Sequence, residues 1–208
     1  YVESGRVPME EWSHLALGLR FRAAAMGVPF LPSLTMLGSG LVDVGGSKTI
    51  DCPYTGQKLL AVPALFPDVA LLHVHRADRF GNCQIDGYPH MDADIAKAAA
   101  TVLVTAEEIV PEEEIRLHPD RTVIPGFIVD ALVHVPYGSY PHECYGLYDA
   151  EPDHFSVYVE GINQRGAAAV QEYLERYVYG PATHAEYLAL FGETALADAR
   201  RRGRELVS

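Results

Sequence analysis

Two short apolar runs constrain this chain more than any other feature: Val69–Val74 (VALLHV) and Thr101–Ala106 (TVLVTA). Each is β-branched-rich, each is too short for a helix, and each stops at charged residues. A near-continuous apolar run of this length reads as a strand buried on both faces, which belongs to a parallel α/β sheet. Polar loops at the ends of such strands are where open α/β sheets place ligand chemistry. The loop after the first run, Arg76-Ala77-Asp78-Arg79-Phe80-Gly81-Asn82, therefore has two readings. It is either a ligand loop or a tight strand-to-strand turn, with Asp78 and Arg79 solvated and Gly81-Asn82 supplying positive φ.

The surrounding pattern supports an open, mostly parallel sheet with flanking helices. Pro8 followed by Glu10 and Glu11 suits a helix start, and Trp12, Leu15, Leu19, Arg22 or Ala23, and Met26 recur at helical spacing until Gly27. Val28–Met36 reads as extended, residues 42–57 as a polar Gly-rich loop, and Leu59–Ala64 as a strand. Further along, Cys83–Ile85 begins a short strand, Asp92–Ala100 is a small helix, Glu112–His118 one or two helical turns, and Val129–Val135 another strand. From about residue 152 the pattern turns helical through to the end. The expected organisation is one domain over 1–208 with a helical C-terminal part from 152 to 208. The chain begins at Tyr1 rather than Met, and reads as lacking an N-terminal segment.

Charge excludes one class of function. The 208 residues carry a net charge of −12, which gives no broad basic face for nucleic acid. The one basic cluster, Arg200-Arg201-Arg202 with Arg204, follows a helical pattern near the C-terminus, where cations complement the helix dipole. No apolar run approaches a membrane span, and no signal peptide is present, so neither a membrane nor secretion is expected. Cys52, Cys83 and Cys144 stand apart without metal-site spacing, which fits a reducing cytoplasm. His73 and His75 share one strand face, yet no acidic or cysteine partner stands at a recognisable spacing, so no metal site is expected.

Three loops carry candidate chemistry. Gly38-Ser39-Gly40 can present backbone N–H groups to an anion or simply turn the chain. Ser39 lacks the strand-turn-helix setting of a serine nucleophile, and reads as a pocket-lining or turn-capping residue. Glu107-Glu108 end a buried strand, where desolvation can tune a carboxylate. The plainer reading is that one caps the following segment and the other is solvated. Tyr137–Gly146 has the composition of a binding loop or of an inter-subunit contact.

Taken in order, GVPFLP (27–32), LGSGL (37–41), VPALFPDVALLHVHRADRFGN (62–82), VTAEEIV (104–110), IPGFIVDALVHVPYGSYP (124–141) and CYGLYD (144–149) resemble the α subunit of family I CoA-transferases, of the glutaconate CoA-transferase type. The resemblance runs from Tyr1 to about Glu193. It implies a CoA-transferase-like open α/β fold, and a homologous β subunit with the active site between the two, in a heterodimer that assembles to a heterotetramer or larger. It also implies an acyl-CoA and a carboxylic acid as substrates, with a CoA thioester as substrate and no permanently bound cofactor. The covalent glutamate of the family lies in a Glu-Asn/Ser-Gly-Leu motif of the β chain, and the matching place here is Gly38-Ser39-Gly40-Leu41. This chain is then the half that lacks the nucleophile, with Gly38, Ser39, Gly40, Arg76, Asp78, Gly81 and Asn82 lining the pocket. Related ring-opening CoA-thioester hydrolases share the α-chain pattern, and form the alternative expectation.

Overall fold

The computed structural model describes residues 2–44 and 47–207, the side chain of Val44 excepted. Packing divides the chain into two units, the first comprising Tyr1–Leu72, Pro89–Val104 and Val123–Ala131, the second His73–Tyr88, Thr105–Thr122 and Leu132–Ser208.

In the first unit the opening helix, α1, spans His14–Ala25, not the segment from Pro8. Ser13 is its N-cap, with its side chain accepting from Ala16 N at 3.2 Å. The preceding residues are held out of helix by Glu10, whose carboxylate accepts from Trp12 Nε1 and Arg20 Nη1. The buried positions of α1 are the small ones, Ala16, Ala23 and Ala24, while Leu15 and Met26 face solvent. Three strands follow: β1 (Phe30–Ser33), β2 (Lys48–Asp51) and β3 (Lys58–Pro63), with the four-residue helix α2 (Leu41–Val44) between β1 and β2. They form an antiparallel sheet in the order β1-β3-β2, with Phe30 opposite Pro63 and Lys48 opposite Ala61. Strand β2 falls where a loop was expected, because Lys-Thr-Ile-Asp on an exposed edge has no apolar alternation to betray it. Arg22 of α1 pairs with Asp94 on helix α3 (Asp92–Ala98).

The larger sheet has the order β7-β5-β4-β6-β8, where β4 is Val69–Ala77, β5 Cys83–Gln84, β6 Thr101–Ile109, β7 Thr122–Ile124 and β8 Ala131–His134. It is open and mostly parallel, as expected, and β4 is its central strand. Helices α3 and α4 (Glu112–Leu117) supply the crossovers that parallel neighbours need. The pair β4 and β5 is antiparallel, with Ala77 opposite Cys83. Both apolar runs bury a single face over their first residues rather than two. In β4, Ala70 and Leu72 are buried, whereas Leu71 is 77 % exposed and Val69 50 %. In β6, Val102, Val104 and Ala106 are buried and the residues between them only partly. The chain itself covers one side of these strands, so an apolar run recorded strand identity correctly but not the number of covered faces.

The second unit ends in helices α5 (Pro152–Arg165), α6 (Ala167–Leu174), α7 (His184–Ala189) and α8 (Glu193–Glu205), with a π-helical turn at Glu175–Tyr179. Its core gathers Tyr140, Cys144, Tyr148 and Ala199, with Tyr137, Leu147, Leu188, Phe191 and Leu196 packed around them. The approach of α8 is closest at Gly203, where an added Cβ would lie 2.5 Å from the Tyr148 backbone. Among the described residues, no helix is long and apolar enough to cross a membrane.

Candidate functional site

The Gly38–Gly40 turn lies in the first unit, between β1 and α2, and all three residues are exposed. Gly38 has φ +81°, in the left-handed region that a side chain enters only with strain. The Ser39 hydroxyl donates to Met36 O at 2.7 Å, and the Ser39 N–H donates to the same carbonyl at 3.0 Å. Ser39 is therefore occupied as a turn cap, one of the two roles its sequence setting allowed.

The Arg76–Asn82 segment, in the second unit, is the hairpin between β4 and β5. Asp78 is fully buried, contrary to its reading as solvated, and it organises the turn. Its Oδ1 accepts from Phe80 N at 2.9 Å and Asn82 N at 3.0 Å, and its Oδ2 from Asn82 Nδ2 at 2.8 Å. The backbone closes through Asp78 N to Asn82 O and Gly81 N to Asp78 O, with Gly81 at φ +83°. Arg76 points elsewhere, gripping Asp86 with both guanidinium arms at 2.9 and 2.5 Å. That bidentate pair raises the Arg76 pKa and lowers that of Asp86, against the partial burial of both. Arg79 stacks over the exposed Phe80 ring at 4.5 Å. The hairpin thus brings Asp78, Gly81 and Asn82 together and turns Arg76 to a neighbouring carboxylate.

The most highly organised polar group is one the sequence underrated. Glu107 is neither solvated nor a cap: it is buried at 8 % exposure and accepts four hydrogen bonds. His73 Nε2 (2.7 Å), Tyr148 Oη (2.5 Å) and Gly138 N (3.1 Å) donate to Oε1, and Tyr137 N donates to Oε2 at 2.8 Å. Burial alone pushes a carboxyl pKa up, but here the bonds from His73, Tyr148 and Tyr137 outweigh it and hold the group below its ordinary value. The phenol of Tyr148 is driven far up by burial and by that carboxylate. Next to the hub, His75 accepts from Asp86 N at Nδ1, so Nε2 carries the hydrogen it donates to Tyr145 O at 2.8 Å.

The fold also supplies what linear spacing hid from the histidine pair. His73, Glu107 and Cys144 bring ligand-type atoms within 4.8 Å of one another, from positions 34 and 71 residues away along the chain. The direct His73–Glu107 bond and the saturation of the carboxylate describe a hydrogen-bonded carboxylate hub better than a ligand set, and burial pushes the Cys144 thiol up to about 12, against thiolate formation. Strand parity was the available signal for the hub. Thr105 and Glu107 share one face of β6, and Thr105 Oγ1 meets His73 Nδ1 at 2.8 Å across β4.

Residues 1–135 match the family described as coenzyme A transferase. This chain belongs to that family. It is 37 % identical over 221 aligned residues to the A subunit of glutaconate CoA-transferase from Acidaminococcus fermentans, covering 96 % of this chain and 67 % of that one. The crystal structure of that enzyme superposes with a TM-score of 0.88 over 96 % of this chain and 68 % of that one. An uncharacterised protein of Archaeoglobus fulgidus is 43 % identical over 99 % of this chain, which spans 46 % of its length. A cholesterol ring-cleaving hydrolase subunit of Mycobacterium tuberculosis is 29 % identical, over 89 % of this chain and 66 % of that one. The chain therefore spans from about half to two-thirds of the length of these relatives.

Proposed function

We propose that this chain is the α subunit of a heteromeric CoA-transferase that moves CoA between an acyl-CoA and a carboxylate, with the covalent glutamate supplied by a homologous β subunit. The observation that carries the reading is its likeness, over 96 % of its length, to a protein named as the A subunit of glutaconate CoA-transferase. The local chemistry is consistent. The motif position of the nucleophile is Gly38, without a side chain, and the buried strand-end carboxylate Glu107 is committed to four donors.

In this reading the partner's glutamate attacks the acyl-CoA carbonyl, CoA leaves as thiolate, and a mixed anhydride remains. The thiolate then attacks the glutamyl carbonyl, releasing the first carboxylate and leaving a glutamyl-CoA thioester. The acceptor carboxylate repeats the two steps in reverse, so one difficult exchange becomes a sequence of easier ones. This chain contributes the walls. The Gly38–Gly40 turn offers small, open backbone, and the Asp78–Asn82 hairpin offers a rigid loop whose shape Asp78 fixes from within. Within that loop Gly81 and Asn82 shape the tip, and Arg76 beside it is held by Asp86.

The test is CoA exchange by the chain co-expressed with its neighbouring-gene partner, supplied with an acyl-CoA and a panel of mono- and dicarboxylates. Appearance of a new acyl-CoA with matching loss of the first supports the reading. Release of free acid and CoA to water, with no transfer to any acceptor, contradicts it and favours the hydrolase relatives.

A further inference from the structure

The three-stranded sheet of the first unit packs one face and leaves a recess on the other. Leu60 and Val62 of β3 are fully buried on the packed face. Side chains alternate along a strand, so Ala61 and Pro63 take the opposite face. The register sets Phe30 of β1 beside Pro63 and Lys48 of β2 beside Ala61. A recess of about 340 Å³ opens over these four residues, within the range of small-molecule sites. Pro29, Ser47 and the trio Glu10, Trp12 and Arg20 complete its lining. None of the residues assigned to the acyl-transfer pocket takes part in it.

One wall is built in advance. Arg20 lies 4.5 Å from the centre of the Trp12 ring, donates to Pro63 O at 3.3 Å and pairs with Glu10 at 2.9 Å. Trp12 Nε1 donates to the same Glu10 oxygen at 3.1 Å. Glu10 is the one acid lining the recess among the described residues, and Arg20 offsets its charge. Three groups are left uncommitted. Among the described residues, Lys48 enters no ion pair and the exposed Phe30 ring stacks on no other ring. The Ser47 hydroxyl is buried without a hydrogen-bond partner. Nearly all buried polar atoms in folded proteins are paired, so this hydroxyl marks a place where a ligand's polar group would sit. The flat apolar surfaces of Phe30, Pro29 and Pro63 suit a planar ring. Lys48 leaves the recess with a net positive charge, which favours an anion.

We propose that this recess binds an anionic aromatic molecule, its ring against Phe30, Pro29 and Pro63 and its charged group at Lys48 and the Ser47 hydroxyl. The site needs neither CoA nor a partner subunit, and it stands apart from the transferase reading.

Trp12 is the only tryptophan of the chain, so its fluorescence reports directly on the recess. Titration of the full chain with benzenesulfonate is the test, with methanesulfonate as the anion without a ring and benzyl alcohol as the ring without a charge. A saturable change with benzenesulfonate is expected, and both controls should bind at least about tenfold more weakly, since a charge-assisted bond contributes roughly that much. Lys48→Gln should weaken benzenesulfonate by about the same factor and leave benzyl alcohol unchanged. Lys48 is exposed, so circular dichroism should show the variant folded. Ser47→Ala should also weaken benzenesulfonate, yet leave the unliganded chain no less stable to urea, because its hydroxyl has no bond to lose. No saturable response from the wild type, either control binding as tightly as benzenesulfonate, or unchanged binding by both folded variants overturns the proposal. Binding lost in the variants, in a chain whose complex transfers no CoA, would leave this inference standing while the transferase reading fell.

Discussion

Replacing Glu107 by glutamine is the most informative single perturbation of this chain, because it changes one atom and leaves volume and shape intact. With its carbonyl oxygen at the Oε1 place, the amide still accepts from His73, Tyr148 and Gly138. Its NH2 group then meets Tyr137 N–H, donor against donor, where Oε2 accepted at 2.8 Å. A buried N–H left without an acceptor costs about 1–3 kcal/mol. The remaining three bonds lose their charge assistance, which is roughly half the strength of such bonds, so about 0.5–1 kcal/mol each. The expected destabilisation at neutral pH is about 3–5 kcal/mol, the sum of the orphaned N–H and the weakened bonds. Urea unfolding followed by far-ultraviolet circular dichroism measures it.

The pH dependence supplies the sign. The folded pKa of Glu107 lies below its ordinary 4.5, so its stabilising contribution is complete above that value and disappears as pH falls through the depressed folded value. The gap between wild type and Glu107→Gln should be widest near neutrality and should narrow below about pH 4. A difference under about 1 kcal/mol at pH 7, or a gap that does not narrow in acid, would refute the view that a charged hub fixes the Tyr137–Tyr148 loop.

Three further outcomes follow from the same geometry. Asp78→Ala orphans the donors Phe80 N, Asn82 N and Asn82 Nδ2, and should cost about 2–4 kcal/mol in urea unfolding, whereas Asp78→Asn should cost less because one acceptor survives. Gly203→Ala drives a methyl against the backbone of Tyr148 and should lower stability by about 1–3 kcal/mol or more, while Gly40→Ala, with open space around it, should be close to neutral. Thiol counting on the native chain should find Cys52 reacting first, since hydrogen bonding lowers its pKa, with Cys83 and Cys144 slow because burial pushes both up to about 12. Equal rates for all three would contradict the burial assigned to them.

What the sequence disclosed, it disclosed where apolar patterning and covalent geometry speak locally. The runs at 69–74 and 101–106 are strands, Gly81 takes the positive φ of its turn, and the arginine cluster is helical. Strands β2 and β7 were missed because they are short, and β2 is polar and exposed, so neighbours rather than composition make them strands. Glu107 was misjudged for a related reason. A carboxylate at a strand end looks solvated until the partner strand's register places His73 beside it and a distant loop brings Tyr137 and Tyr148. The turn reading left Asp78 solvated, because sequence alone does not show that three donors within four residues will close on it. The ordered series of motifs carried family membership, and no single loop did.

The central claim is that this chain lines the site while the covalent glutamate belongs to its partner. It is tested most directly by trapping the intermediate. The assembled complex would be treated with an acyl-CoA, cleaved at the thioester with borohydride, and each polypeptide mapped by peptide mass spectrometry. The account predicts a reduced glutamate in the β subunit, with the α chain unmodified and its Glu107 and Glu108 intact. A modified Glu107 or Glu108, or any covalent adduct confined to this chain, would contradict it.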